Sequence, residues 1–272
     1  MTVKFNRLEF YFMKEKLYQR LIELTNGKQS SYLLQTIAKA KWSKRIIPSY
    51  MKVYDINLEE VSKKPKQFSS LHDFFTRELV EEARPIAQSP FTFASPVDAK
   101  IESFGRIEWD MTFQVKGKPY ALQDLLGNRD RAARYADGYY IVFYLSPADY
   151  HRIHSPIDGT VIRQYTLGNT SYPVNRLGLT YGKKPISHNY RQVTELKLAN
   201  DQQVAFIKVG ATFVNSIVLT NRTEQWQKGQ EVGYFSFGST VVMLFEKDSI
   251  EFTENVVKGS PIRMGEAFAN ML

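Results

Sequence analysis

Two short segments of this 272-residue sequence carry the side chains that could do chemistry. In the first, His151 and His154 lie three residues apart, a spacing that serves metal ligation, proton transfer or no reaction at all. In the second, Gly238-Ser239-Thr240 leads into an apolar run, which is also typical of a glycine turn between two strands. Taken singly, each segment is explained at least as well by a structural role as by catalysis.

The composition excludes several chemistries. The sequence contains no cysteine, which rules out disulfides, thiolate zinc sites and cysteine nucleophiles and suits a reducing compartment. The two other histidines, His72 and His188, stand alone, so the sequence supports no metal site. No apolar run approaches the roughly 18 residues that cross a bilayer, and we find no secretory signal. We therefore expect a chain that neither spans a membrane nor is exported.

Positive charge is concentrated at the start of the chain. The net charge is +8, and the first 52 residues alone hold 11 Lys and Arg against three acids. Apolar residues recur at helical spacing from Phe5 to Leu24, and again from about Ser31 until Pro48 ends the pattern. These basic amphipathic helices predict packing on the core, contact with an anionic membrane, or both. No nucleic-acid motif accompanies the charge, so we expect no nucleic-acid partner.

The remainder predicts a mainly β domain. A short capped helix is expected within residues 69–79, and β-branched and aromatic runs at 139–145, 204–209 and 240–245 alternate with turns. The pattern Ser-Pro-aliphatic-Asp-small occurs at both 95–99 and 155–159, which suggests two related halves of a sheet or barrel. The fold class is therefore α+β, with a basic helical, membrane-associating region over residues 1–66 and a β domain over residues 67–272.

A series of short segments occurs along the chain in the following order: Phe74-Phe75-Thr76-Arg77-Glu78-Leu79, Arg84-Pro85-Ile86, Ser95-Pro96-Val97-Asp98, Gln114-Val115-Lys116-Gly117, Leu125-Leu126-Gly127, Leu145-Ser146-Pro147-Ala148-Asp149-Tyr150-His151-Arg152-Ile153-His154, Val209-Gly210-Ala211 and Phe237-Gly238-Ser239-Thr240. In this order and approximate spacing they resemble the pyruvoyl-dependent phosphatidylserine decarboxylases of prokaryotic type, from about Phe68 to Glu246. Many independent motifs in one order rarely arise by chance, whereas any single one would.

The resemblance implies roles for five of the matching residues: Asp98, His151, His154, Gly238 and Ser239. The chain would cut itself between Gly238 and Ser239 into residues 1–238 (beta chain) and 239–272 (alpha chain), and Ser239 would become a covalent pyruvoyl group. Asp98 and His154 match the aspartate and histidine of an Asp-His-Ser arrangement that activates the serine. His151 matches a histidine linked to decarboxylation. The pyruvoyl group would form a Schiff base with phosphatidylserine and yield phosphatidylethanolamine and carbon dioxide.

The implied substrate also places the enzyme. A phospholipid substrate and the basic N-terminus predict peripheral attachment to the cytoplasmic side of the cell membrane. The sequence leaves a homo-oligomer open. It also leaves open three other functions: a pyruvoyl decarboxylase of a soluble amino acid, an uncleaved Ser-His-Asp hydrolase, and a lipid-binding module without chemistry.

The match with the family pattern is incomplete. Phe237 replaces a usual Leu before the cleavage site, and Ala99 and Asn215 stand where Gly is common. Tyr190 replaces the Glu of a usual Asn-Glu-Arg, a lost carboxylate that could alter substrate contacts or local stability.

Overall fold

The computed structural model describes residues 35–170, 172–174, 178–179, 184–211, 217–236 and 238–272. The first predicted helix, from Phe5 to Leu24, lies outside these residues, as do Phe237 and Asn215. Within the described part of the chain, no helix has the length and apolarity needed to cross a membrane.

The helices are short and lie mostly before the strands. Residues 35–39 are helical. The α-helices are α1 (Ile47–Tyr54), α2 (Leu71–Phe75), α3 (Leu122–Leu126), α4 (Arg129–Ala133) and α5 (Pro185–His188), with 3-10 helices at Lys41–Ile46, Pro65–Gln67 and Glu81–Ala83. Helix α2 is the predicted capped helix, since the Ser70 side chain accepts a hydrogen bond from the backbone N–H of Asp73.

Strands are the main secondary structure of the remainder, which confirms the α+β prediction. They are β1 (Thr92–Ala94), β2 (Ala99–Arg106), β3 (Thr112–Val115), β4 (Lys118–Ala121), β5 (Tyr139–Leu145), β6 (Arg152–His154), β7 (Gly159–Leu167), β8 (Arg191–Lys197), β9 (Gln203–Gly210), β10 (Ile217–Leu219), β11 (Gln225–Trp226), β12 (Glu231–Phe235), β13 (Ser239–Phe245), β14 (Ile250–Phe252), β15 (Pro261–Ile262) and β16 (Ala267–Met271).

One eight-stranded sheet organises the β domain. Its strand order is β11-β7-β8-β9-β13-β5-β2-β15, and it is open, since β11 and β15 are its two edges. Two three-stranded sheets, β1-β16-β14 and β10-β12-β6, and the β3-β4 hairpin accompany it. Along β13, Val241, Met243 and Phe245 face one apolar cluster while Val242 and Leu244 face another. The central strands are therefore buried on both faces, which explains their continuous apolar runs.

The repeated Ser-Pro pattern marks two related halves, as predicted. Strand β2 begins at Ala99 and pairs with β15, and β7 begins at Gly159 and pairs with β11 in the corresponding register. The backbone N–H of Ala94 donates to the Pro156 carbonyl, and that of His154 donates to the Pro96 carbonyl, both at 2.9 Å. The two turns thus bind each other reciprocally across the start of the two halves.

The prediction that Pro48 ends the second helix is wrong. The helical segment that includes residues 35–39 gives way to a bend at Ala40 and then to a 3-10 helix, and Pro48 lies in the first turn of α1. A proline is tolerated there because the first N–H groups of a helix have no intrahelical acceptor. One consequence is that Trp42 is 53% exposed while Ala38 is buried, although a continuous helix would place these two residues, four apart, on the same face.

A small apolar cluster joins the N-terminal helices to the rest. Ile47 and Val61 pack with Phe68 and Phe74. This cluster therefore includes residues from both sides of the predicted boundary between residues 66 and 67. The division into two domains stays a prediction.

Candidate active site

Ser239 lies at the centre of the main sheet. It is the first residue of β13 and pairs with Leu145 of β5 on one side and Gly210 of β9 on the other. Its side chain is fully buried, and its Oγ has no hydrogen-bond partner within the described residues. A buried hydroxyl without a partner costs about 1–3 kcal/mol. Because such a hydroxyl does not stabilise the fold, its presence needs another explanation, and a role as a nucleophile is one.

The carbonyl group that precedes Ser239 is held by the neighbouring strand. The backbone N–H of Ala211 donates to the Gly238 oxygen at 3.0 Å, which continues the β9–β13 pairing by one bond. Gly238 itself is half-buried, and a Cβ added there would meet nothing within 4 Å. The Gly238–Ser239 peptide bond therefore joins a polarised carbonyl to a serine with a free hydroxyl.

His154 is a buried, neutral imidazole at the end of β6. Its Nδ1 lies 2.8 Å from the Gly229 carbonyl and its Nε2 lies 3.1 Å from the Tyr150 hydroxyl. A carbonyl can only accept, so Nδ1 carries the proton and Nε2 offers a lone pair. Burial lowers the pKa of His154, against smaller upward contributions that include the Gly229 hydrogen bond and the Asp98 charge. The ring therefore has the tautomer that a general base needs.

Asp98 is held by groups other than His154. Both of its oxygens accept from Arg84, at 2.8 and 2.5 Å, and one also accepts from the backbone N–H of Met264 at 2.8 Å. No hydrogen bond joins Asp98, His154 and Ser239 to one another among the residues with described positions. Asp98 acts on His154 through its charge alone, and the catalytic roles of the three residues stay predictions.

His151 lies deeper than His154. It is fully buried, its Nδ1 donates to the Asp149 carbonyl at 2.8 Å, and its ring lies 3.9 Å from the ring of Phe75. Burial and the nearby Arg77 charge lower the pKa of His151 to about 3. Its Nε2 has no hydrogen-bond partner within the described residues. Near neutral pH this atom is therefore an unoccupied lone pair.

The N-terminal helices position the loop before the two histidines. Arg77, two residues after α2, donates to the carbonyls of Ala148 and Asp149 at 2.7 and 3.2 Å. The Tyr50 hydroxyl of α1 donates to the Pro147 carbonyl at 2.5 Å. These contacts fix the loop through backbone atoms, so they do not depend on its sequence.

A cavity of about 250 Å³ opens beside this loop. Arg77, Arg84, Asp98, Asp149 and Tyr150 are among the residues that line it. A larger cavity of about 340 Å³ lies elsewhere, between α4 and strands β7 to β9, and none of the predicted site residues lines it. We regard the smaller cavity as the one relevant to the site, because it contacts Asp98 and the histidine loop.

Sequence reasoning missed three residues of the site. Arg77 and Arg84 were recognised as parts of family motifs, but no role followed from their spacing. Arg84 pairs with an aspartate 14 residues away, and no short-range pattern encodes that contact. The Tyr150 contact with His154 spans only four residues, so it was the one that the sequence could have suggested.

Comparison with known proteins gives one consistent result. The family model described as phosphatidylserine decarboxylase matches residues 71–270. The chain is 49% identical over 260 residues to the phosphatidylserine decarboxylase proenzymes of Bacillus thuringiensis subsp. konkukian (strain 97-27) and of Bacillus cereus (strain B4264). Each match covers 96% of this chain and 99% of the relative.

Proposed function

Because this chain belongs to the phosphatidylserine decarboxylase family, we propose that it decarboxylates phosphatidylserine with a pyruvoyl group that it makes by cutting itself between Gly238 and Ser239. The products are phosphatidylethanolamine and carbon dioxide. One observation carries the assignment of the cleavage site: Ser239 presents a buried, unpartnered hydroxyl beside a carbonyl that already accepts a hydrogen bond from Ala211.

Cleavage begins with an acyl shift. Ser239 Oγ attacks the Gly238 carbonyl carbon, and its proton passes to His154 Nε2, the ring nitrogen that carries the lone pair. Because the Tyr150 hydroxyl occupies this nitrogen before the reaction, the transfer requires that hydroxyl to move away or to relay the proton. That proton then moves to the Ser239 nitrogen as the C–N bond breaks, leaving an ester and a free amine. Loss of the Cα proton and of the Gly238 carboxylate gives an enamine, which tautomerises to an imine. Water hydrolyses the imine to the ketone and releases ammonia.

The new group supplies what the side chains lack. When formed, the pyruvoyl ketone provides a conjugated acceptor for the electron pair that decarboxylation leaves on the substrate carbon. We propose that His151 acts in this step. Its unpartnered Nε2 lone pair can accept a hydrogen bond from the substrate nitrogen and orient it toward the ketone. With a pKa of about 3 the ring is too weak a base to deprotonate an ammonium group, so the substrate amine must lose its proton to another acceptor.

Denaturing mass spectrometry tests the cleavage. We expect the wild-type chain to give a 34-residue fragment, residues 239–272, with a blocked first residue. Ser239→Ala should give one uncut mass. Ser260→Ala is the matched control, because Gly259-Ser260 is the other Gly-Ser pair and its serine hydroxyl is bound to the Val257 carbonyl. An uncut wild-type chain, or cutting in Ser239→Ala, would remove the proposal.

A headgroup assay separates the substrate classes. Phosphatidylserine in mixed micelles should yield phosphatidylethanolamine, while free serine should yield no ethanolamine. Conversion of free serine alone would favour a soluble amino acid decarboxylase. Hydrolysis of the lipid by an uncut chain, without decarboxylation, would favour the hydrolase alternative.

We also propose that the enzyme binds the cytoplasmic face of the cell membrane peripherally. Trp42, Ile46 and Val53 are exposed in the segment that follows residue 40. Exposed basic residues accompany them: Lys41, Lys44, Arg45 and Lys52. An apolar surface ringed by positive charge suits the interface of an anionic bilayer.

Vesicle flotation of the full chain tests the membrane contact. Changing the four exposed basic residues to Gln should weaken binding to vesicles containing phosphatidylglycerol about 1,000-fold, because each charge contributes about 1 kcal/mol. The control carries the same loss of charge at four exposed positions elsewhere: Arg129, Arg222, Lys247 and Lys258. Equal binding by the two variants would contradict this surface.

A further inference from the structure

Asn189 is a buried polar residue that the proposed chemistry does not use. It follows α5, its side chain is fully buried, and every polar group on it is occupied. The backbone N–H donates to the Pro185 carbonyl at 3.0 Å, and the backbone carbonyl accepts from Arg191 at 3.1 Å. Because hydrogen bonds hold Asn189 at both its backbone and its side chain, we infer that the orientation of this residue is important.

The side-chain amide of Asn189 has one possible orientation. Its Oδ1 accepts from the backbone N–H of Tyr172 at 2.9 Å, and a backbone N–H can only donate. The opposite atom is therefore Nδ2, which donates to the carbonyls of Tyr172 and Gly210 at 2.7 and 2.9 Å. One of the two Nδ2 protons is thus directed at the last residue of β9.

The Gly210 carbonyl belongs to the peptide unit whose N–H reaches the cleavage site. In a trans peptide, the C=O of Gly210 and the N–H of Ala211 point in opposite directions from one rigid plane. Asn189 binds the oxygen end of this plane, and the Gly238 oxygen binds the N–H end at 3.0 Å. Donation to the oxygen draws electron density from the nitrogen, which makes the N–H a stronger donor.

We propose that Asn189 is a positioning residue for self-cleavage, acting through the Gly210–Ala211 peptide on the Gly238 oxygen. This inference rests on the proposed cleavage between Gly238 and Ser239. When Ser239 Oγ attacks, the Gly238 oxygen becomes an anion, and the Ala211 N–H stabilises that charge. Asn189 holds the donor in place and strengthens it before the reaction begins.

Asn189→Asp tests this role through its pH dependence. A carboxylate at this position has no proton for the Gly210 oxygen, whereas a protonated carboxyl group does. We expect cleavage of freshly translated chain to be about tenfold to 100-fold slower than wild type at pH 8, because one donor to an oxyanion is worth about 100-fold to 1,000-fold and here only its support is lost. The ratio to wild type should recover at pH 5. Acid also relieves any repulsion between this carboxylate and the carbonyl oxygens of Tyr172 and Gly210, so thermal unfolding must show that the variant is folded at pH 8.

Thr170→Val is the matched control. The Thr170 hydroxyl lies 2.9 Å from the His188 carbonyl oxygen and 3.3 Å from Asn189 Oδ1, so its loss disturbs the surroundings of the same side chain without touching the bond to Gly210. We expect this variant to cleave within about twofold of wild type at both pH values, by analogy with other surface changes that cost little. Thermal unfolding of both variants in a Ser239→Ala background shows whether each still folds.

The outcomes separate this inference from the function on which it rests. An uncut wild-type chain refutes the proposed function itself. A wild-type chain that cuts while Asn189→Asp cuts equally fast at pH 8 refutes only the role of Asn189. The role is also refuted if Thr170→Val is slowed as much as Asn189→Asp, or if the Asp variant stays slow at pH 5 while folded.

Discussion

The two turns at residues 95–99 and 155–159 share one design. In each, the serine hydroxyl donates to the carbonyl two residues ahead, at 2.7 Å in the first turn and 2.8 Å in the second. In each, the aspartate accepts a backbone N–H from a glycine-containing turn later in the chain. A geometry that occurs twice cannot depend on chemistry that only one copy carries. The turns themselves are therefore scaffold.

The chemistry lies where the two turns differ. Asp98 of the first turn is buried against Arg84, whereas Asp158 of the second is exposed. The residue before the first turn is Ala94, and the residue before the second is His154. Each half thus contributes one functional group that the other lacks. The reciprocal bonds between the turns bring the carboxylate of one half near the imidazole of the other.

The largest expected effect comes from making the two halves alike. His154→Ala gives the second half the residue that the first half has at the same backbone position, where Ala94 is fully buried. The fold should survive, while self-cleavage should slow by about 1,000-fold or more, since a general base contributes about 100-fold to 10,000-fold. The time course of the 239–272 fragment measures the rate.

His188→Ala serves as the control for that change, because His188 is exposed at the end of α5. It should cleave at the wild-type rate. Near-normal cleavage of His154→Ala in folded protein would show that the base lies elsewhere.

A second comparison sets the two aspartates against each other. Asp98→Asn removes one of the two carboxylates that pair with the largely buried Arg84 guanidinium. Removing one member of a buried ion pair costs about 3–5 kcal/mol. Glu60 also pairs with Arg84, at 2.9 Å, so we expect about 3 kcal/mol, together with slower cleavage. Asp158→Asn should change the free energy of unfolding by less than about 0.5 kcal/mol. Equal losses in urea unfolding would contradict the difference between the two turns.

Local pattern was enough to predict the central strands of the fold. The runs 139–145 and 240–245 are rich in β-branched and aromatic residues, and β5 and β13 occupy almost the same positions. The two-residue strands β11 and β15 were not predicted, since no period can be read from two residues. The prediction that Pro48 ends a helix was wrong because a proline is equally compatible with the end of one helix and the first turn of the next.

The site could be predicted only where family motifs name single residues. Asp98, His151, His154 and Ser239 were assigned in this way, and their catalytic roles stay predictions. Their partners were not, because Arg84 reaches Asp98 and Gly229 reaches His154 through tertiary contacts between distant segments. Tyr190, which replaces the glutamate usual in the family, packs half-buried against the core. Its backbone carbonyl accepts a hydrogen bond from the backbone N–H of Gly210. The backbone therefore keeps that contact whatever the side chain.

Acid should act on the second half through its buried histidines. The folded pKa of His151 is about 3 and its unfolded pKa is about 6.5. Between these values the unfolded chain binds a proton that the folded chain does not, so stability falls as pH falls. In the Ser239→Ala precursor we expect a loss of about 2 kcal/mol from this group between pH 6.5 and 4.5.

His151→Gln should reduce the dependence of the free energy of unfolding on pH, because one proton fewer is taken up on unfolding. Urea unfolding at the two pH values measures this dependence. An unchanged slope in His151→Gln would mean that the ring is not buried as a neutral group.

The smallest expected effect tests whether the serine hydrogen bonds of the two turns contribute equally to the free energy of unfolding. Ser95→Ala and Ser155→Ala each remove one buried hydroxyl bond, which is worth about 1 kcal/mol. Two equivalent turns should lose equal amounts in thermal unfolding, whereas unequal losses would mean that one turn has been specialised beyond its side chains. The double variant goes further. Because each turn donates a backbone bond to the other, a loss that exceeds the sum of the single losses would show that the two turns unfold as one unit.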